Sequence, residues 1–204
     1  MSYSNADTGD KTADPYKAKN QDEPGVEEKI QDLTSFISKS KFGMMTTSAA
    51  GSGVLASRCM ALAATENGGI DLIFHTNTES GKTDDLEKNP AINMSFYNAT
   101  GEWASVSGDA EIDADRQTVH KYYSQELKTW LGDLGDGTHD GGPDDPRIGV
   151  IRIKAKTATY AISRSNPISR GVEMVQGAIT GKAAQVNKLR EISESELSQW
   201  RSSH

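Results

Sequence analysis

The chain has 204 residues, a formal net charge of −7, 35% hydrophobic residues and a single cysteine. That length supports one domain with a sizeable core, and the acidic balance, with no basic block to offset it, argues against nucleic-acid or membrane-surface binding as the main task. Cys59 has no partner for an internal disulfide, and without an apolar leader or a run of transmembrane length the expected location is the cytoplasm.

Residues 1–24 are rich in Asp, Lys, Asn and Gln with little to bury, and read as a flexible N-terminal arm before a folded domain over 25–204. Val26, Ile30, Leu33, Phe36 and Ile37 then share one helical face, with Glu27, Glu28, Lys29 and Asp32 opposite. Residues 42–49 read as a strand, 50–53 as a turn, and 54–65 as a second strand. Gly51, Gly53 and Ala56 also match a dinucleotide fingerprint, with Asp71 near its acidic position. That motif needs a parallel βαβ unit, whereas the alternation here favours a hairpin. In the second strand Arg58, Met60 and Leu62 share one face and Cys59 and Ala61 the other. A guanidinium on an apolar strand needs a carboxylate or a bound anion beside it.

Ile70 to Pro90 (IDLIFHTNTESGKTDDLEKNP) reads as strand, short loop and short helix. Ser80 is placed to cap that helix, which must stop before Pro90. The free N–H groups of its first turn, with the Ser80 hydroxyl, Gly81 backbone and Lys82 ammonium, form either a phosphate site or an ordinary capped helix with a solvated lysine. Residues 91–97 and 102–112 are further alternating strands, with Gly108 at an expected bulge. Strands joined by short turns predict an antiparallel meander closing into a barrel, a mainly β (α+β) fold with flanking helices.

Asp113 is expected to cap one helix carrying Val119, Tyr122, Tyr123, Leu127, Trp130 and Leu131, either as core packing or as a pocket wall. The Gly/Asp loop over 132–146 holds His139, but Asp133 and Asp136 do not fit a calcium-loop spacing and one histidine is weak for zinc, so no metal is expected. Residues 148–162 read as the last long barrel strand, 165–167 as a turn, and 172–179 as a further strand. Ser193 and Glu196 form a capping box for a final helix through Leu197 and Trp200.

The segments Arg58-Cys59-Met60-Ala61-Leu62, Phe74-His75-Thr76-Asn77, Ser80-Gly81-Lys82 and Asn89-Pro90 resemble, in order and spacing, the flavin-binding core of the pyridoxamine-phosphate-oxidase-like split barrels. Over nearly the whole chain FGMMTT, SRCMALA, DLIFHTN, WASVSG, WLGDLGDG and VNKLREIS are similar to the fungal blue-light-induced proteins, relatives of the general stress protein 26 group. The resemblance implies an antiparallel FMN-binding split β-barrel that forms a homodimer with FMN at the subunit interface. It implies that Arg58, Ser80 and Lys82, with the Gly81 backbone, hold the FMN phosphate, and that Thr76, with His75, sits at the strand end beside them. It places the backbone of Cys59, Met60 and Ala61 under the isoalloxazine ring, and Trp103 near the flavin from the same or the other subunit. A flavin-dependent oxidoreductase using NAD(P)H or another small electron partner follows from it, linked to stress or light response. The alternative is a non-catalytic flavin module for storage, buffering or signalling, and a deazaflavin also carries the phosphate such a site would hold. No acid–base pair stands out, so no catalytic residue is assigned. The oxidase's C-terminal Trp-Arg motif has no matching context here: Trp200-Arg201 falls in the predicted terminal helix, which speaks against vitamin B6 oxidation.

Overall fold

The computed structural model describes residues 14–164, 173, 175, 176 and 179–204. Six strands close an antiparallel barrel: β1 (Phe42–Ser48), β2 (Leu55–Glu66), β3 (Asp71–Asn77), β4 (Ala91–Tyr97), β5 (Trp103–Asp113) and β6 (Ile148–Ser163), in the order β3-β2-β1-β4-β5-β6, with β3 also paired to β6. A seventh strand, β7 (Asn187–Ile192), continues the sheet beyond β6. One edge of β6 runs along β5, while its other edge is shared, first by β3 (Ile148 to Ile153) and then by β7 (Ala158 to Ser163). This shared edge is where the barrel splits.

Period-two alternation sends one face of each strand inward. Met45, Phe74, Met94, Phe96, Val106, Ile151, Ile153 and Tyr160 are all fully or almost fully buried, in one cluster with Ile30, Leu33, Phe36 and Ile37 of α2 (Val26–Ser40). The bulge at Gly108 is present: Ser107 pairs with Thr157 but Gly108 with Ala155, so Lys156 is the extra residue. A Cβ on Gly108 would stand 2.1 Å from the Lys154 carbonyl oxygen, which is why glycine occupies that position.

Further helices flank the barrel. α3 (Gly81–Lys88) stops at Asn89, whose φ of −144° and ψ of 101° are extended, as the following proline demands. The capping box of Ser193 and Glu196 opens the last helix (Glu194–Ser203), α6 in the numbering used below.

Several expectations change. Within the stretch read as an arm, residues 1–13 lie outside the described residues, but Pro15–Asn20 forms α1, capped by Asp14 with proline at its start. Its docking is polar: Asn20 is fully buried and bonds the Ala184 carbonyl and the Asn187 N–H. Lys29, expected on the exposed face of α2, is buried between Glu23 and Glu196. The single helix expected after Asp113 is two, α4 (Arg116–Tyr122) capped by Asp115 and α5 (Gln125–Leu131), because Tyr123 and Ser124 are extended. The turn expected at 165–167 lies outside the described residues, and those described within 172–179 (Glu173, Val175, Gln176 and Ile179) are helical rather than extended.

Candidate phosphate cradle and flavin platform

β2 and α3 build the site. Arg58 lies on the inner face of β2, opposite Met45 of β1, and its side chain is 33% exposed at the barrel end near α3. Its Nη1 donates to Thr47 Oγ1 at 2.9 Å and its Nη2 to Asp85 Oδ2 at 3.2 Å. The carboxylate partner anticipated for Arg58 is therefore Asp85, one turn into α3. Asp85 also accepts the Ala50 N–H at 2.8 Å, and this bond, reinforced by Arg58, holds its carboxyl below the usual range.

Lys82 stands in the first turn of α3, half-buried, with Nζ 2.7 Å from Ser80 Oγ. Burial, with the nearby Arg58 charge, lowers its pKa, and among the described residues no carboxylate pairs with it. Ser80 does not cap with its side chain; its hydroxyl donates to the Asn77 carbonyl, which also accepts from Thr83 and Thr76. The first-turn N–H groups of a helix lack intrahelical acceptors. A side chain at Gly81 would project into open space, with no atom within 4 Å. Two cations, a hydroxyl and a helix start thus gather at one end of the barrel beside open space at Gly81, with buried Asp85 the carboxylate bonded to Arg58. A phosphate dianion fits that donor set.

Next to the cradle, Cys59 and Ala61 lie on the exposed outer face of β2, while Met60 turns inward against the core. The outer face of the neighbouring strands is mostly small and polar, Met44 excepted: Ser57, Thr46, Asn93, Ser107 and Thr157 form one cross-strand row, and Cys59, Met44, Ser95, Ser105 and Thr159 the next. Thr46 and Ser57 hydrogen-bond, as do Asn93, Ser105 and Ser107. Exposed Phe42 (55%), Tyr97 (71%) and Leu55 (71%) border this face.

Of three further anticipated residues, Thr76 sits at the strand end as expected, while His75 and Trp103 fall elsewhere. Thr76 is buried at the end of β3 on the inner face, close to Ser80 through the Asn77 carbonyl. His75 points to the opposite face, into the layer under α4 and α5. There its Nε2 is buried without a partner among the described residues, and burial lowers its pKa against the opposing effect of a backbone bond at Tyr122. Trp103 is on β5, three strand steps from β2 in either direction around the closed barrel, so within one chain it stands on the opposite wall from Arg58. Sequence reasoning missed Thr47 and Asp85, which hold Arg58. Their signal was the unmatched guanidinium itself.

The terminal Trp200-Arg201 pair is tied elsewhere. Arg201 grips buried Asp71 (2.7 and 2.9 Å) and the Ala155 carbonyl, and Trp200 stacks on His204 at 3.7 Å. Asp71 opens β3 and Thr76 nearly ends it, about 17 Å along the strand. In the 132–146 loop His139 pairs with Asp136, and among the described residues no group of three or more His, Cys, Asp or Glu gathers for a metal ion. Nor, among them, is any helix long and apolar enough to cross a membrane.

Comparison with known proteins bears on the family and the fold. The family model described as pyridoxamine 5′-phosphate oxidase like matches residues 28–185. Protein bli-3 of Neurospora crassa is 63% identical over 204 residues, covering 99% of this chain and 98% of that protein. Two solved structures share the fold. A protein from Clostridium acetobutylicum related to general stress protein 26 has a TM-score of 0.55 at 20% identity, covering 66% of this chain and 88% of its own. General stress protein 26 of Bacillus anthracis has a TM-score of 0.54 at 24% identity, covering 65% and 93%.

Proposed function

This chain belongs to the pyridoxamine 5′-phosphate oxidase-like family, and from that membership we propose that it binds FMN and works as a cytoplasmic flavin-dependent oxidoreductase in stress or light response. The observation that carries the reading is the convergence of Arg58, Lys82 and Ser80 Oγ on the open start of α3. In this reading Arg58 and Lys82 neutralise the phosphate, Ser80 and the first-turn N–H groups orient it, and Thr76 closes the strand end. The exposed edge of Cys59 and Ala61 offers the ring a flat strand to lie on. Bound FMN would supply the hydride or electron transfer; the chain's own residues bind, orient and screen it. A second copy would cover the outer face bordered by Phe42, Tyr97 and Leu55, and would bring its Trp103 within reach of the ring. NADH, NADPH or another small molecule would serve as electron partner.

One observation favours a non-catalytic flavin module instead: among the described residues the titratable groups at the cradle are Lys82 and Asp85, both given to anion binding in this reading, and His75 is turned away from it. Both readings require FMN. The test is the visible spectrum of the purified protein and equilibrium titration with FMN and with riboflavin. FMN retained, with riboflavin weaker by about tenfold or more, supports the cradle, since charged phosphate contacts are worth about 1.5–3 kcal/mol each. Equal affinity for the two, or none for either, overturns it. Reduction of bound FMN by a nicotinamide donor and reoxidation by an acceptor separates the enzyme from the module.

A further inference from the structure

We propose that Asp85 is the positioning residue of the phosphate cradle: it fixes the inner edge of the Arg58 guanidinium so that the outer edge meets the phosphate. The proposal rests on the FMN reading above and deepens it.

Arg58 carries five N–H donors in a rigid fork. Two nitrogens are engaged on the protein side, Nη1 by Thr47 and Nη2 by Asp85. A planar fork held on two nitrogens from one side keeps its remaining donors on the other side. Asp85 is itself held firmly. It is buried, its Oδ1 takes the Ala50 N–H of the β1–β2 turn, and its Oδ2 lies 3.4 Å from Thr47 Oγ1 as well as on Arg58. One carboxylate therefore ties α3, β1, the β1–β2 turn and β2 together at the cation that the phosphate would need. Lys82 sits three residues before Asp85 on the same helix, so the two cations of the cradle are set relative to one another through Asp85.

A carboxylate beside a phosphate has two opposing effects. Its charge repels the dianion, so removing it should strengthen binding. Its bond orients Arg58, so removing it should weaken binding. The burial of Asp85 and its other fixed partners point to orientation as the dominant effect. Asp85→Asn decides between them, because the amide oxygen can still accept the Ala50 N–H while the charge-assisted hold on Arg58 is lost.

The experiment is FMN and riboflavin titration of wild type, Asp85→Asn, Arg58→Ala and the double variant, each checked for folding by circular dichroism and thermal melting. Asp85→Asn should weaken FMN binding by about tenfold and leave riboflavin unchanged. In the Arg58→Ala background Asp85→Asn should add nothing, because it acts through Arg58. Asp85→Glu should recover part of the loss. A merely structural role would lower both ligands alike, and that outcome overturns the proposal. So does FMN affinity that is unchanged or raised in Asp85→Asn. If Asp85→Asn does not fold, Asp85→Glu carries the same comparison of FMN with riboflavin, with a selective loss expected and a parallel loss of both refuting. Should wild type fail to prefer FMN, the cradle reading itself falls. Should wild type and Arg58→Ala behave as the cradle requires while Asp85→Asn does not, only the role of Asp85 falls.

Discussion

Lys82→Met separates binding from stability at the same position. In the folded chain the Lys82 ammonium is half-buried with one hydroxyl at 2.7 Å and the Arg58 charge nearby. Its lowered pKa means the fold disfavours the charged form. Methionine keeps the length and removes the charge, so the ligand-free variant should be more stable. Solvent screening at this half-exposed site keeps the gain small, and it reads as a raised Tm of the ligand-free variant. Binding should move the other way. The lost charge-assisted phosphate contact is worth about 1.5–3 kcal/mol, so FMN affinity should fall roughly tenfold to a hundredfold, with riboflavin unaffected. The sign with pH follows from linkage. The folded-state pKa lies below 10.5, so between the two values the unfolded chain binds more protons and wild-type stability rises with pH. That part of the rise should vanish in Lys82→Met. Urea denaturation of the ligand-free proteins across that range, with parallel titrations, is the assay. A variant that is less stable and binds FMN normally would refute the idea that Lys82 is kept at a cost to the fold for the sake of an anion.

Three further outcomes are expected. Arg190, 1% exposed, bonds Asp22, Glu28 and Asp32 at 2.6–2.7 Å and the Tyr160 hydroxyl; Arg190→Met should cost about 3 kcal/mol, the low end for a broken buried network because the acids can relax into water, and lower Tm by roughly 6–12 °C in a thermal melt. His75 has a folded pKa below 6.5, so its contribution is present above that value and lost as pH falls through it; His75→Gln should lose less stability than wild type between about pH 7.5 and about pH 5.5, read from urea midpoints. Phe42→Asp with Tyr97→Asp should convert the expected homodimer to monomer in light scattering, and a monomeric wild type would refute the proposed interface.

The barrel was legible because its signal is local. Alternation in 42–48, 71–77, 91–97 and 103–113 marks the inner face of each strand, and short turns leave antiparallel neighbours as the simplest pairing. Arg58 and Lys82 drew notice because each is chemically conspicuous, a cation on an apolar strand and a cation at a helix start, with Ser80 beside the second. What escaped notice was held by polar contacts of long sequence separation. Asp85 reads as one more surface acid on a short helix until Arg58, 27 residues earlier, is folded against it. The segment Pro15–Asn20 has almost no apolar residue to announce it, yet it docks through Asn20 and through Tyr16, whose hydroxyl accepts from Asn187. The break between α4 and α5 escaped too, since the apolar spacing runs on across Tyr123 while its backbone does not.

The end of the chain bears on which substrate the barrel can serve. A Trp-Arg pair that handled substrate would need its guanidinium free at the flavin. Arg201 instead makes two bonds to a carboxylate that is 4% exposed, plus one to the Ala155 carbonyl. Releasing it would leave Asp71 buried with only Asn67 and the Ala155 N–H, which costs about 3–5 kcal/mol for a buried pair. Trp200 is likewise fixed, packed over the Gly68 turn and stacked on His204. The terminal helix is therefore a clasp on the start of β3, and within one chain its Trp-Arg pair is committed to that contact rather than to the proposed flavin site. Arg201→Ala offers the check. It should lower Tm, by roughly 6 °C or more if the pair is worth about 3 kcal/mol, while leaving FMN affinity unchanged. A variant of normal stability with weakened flavin binding would show that the tail reaches the site after all.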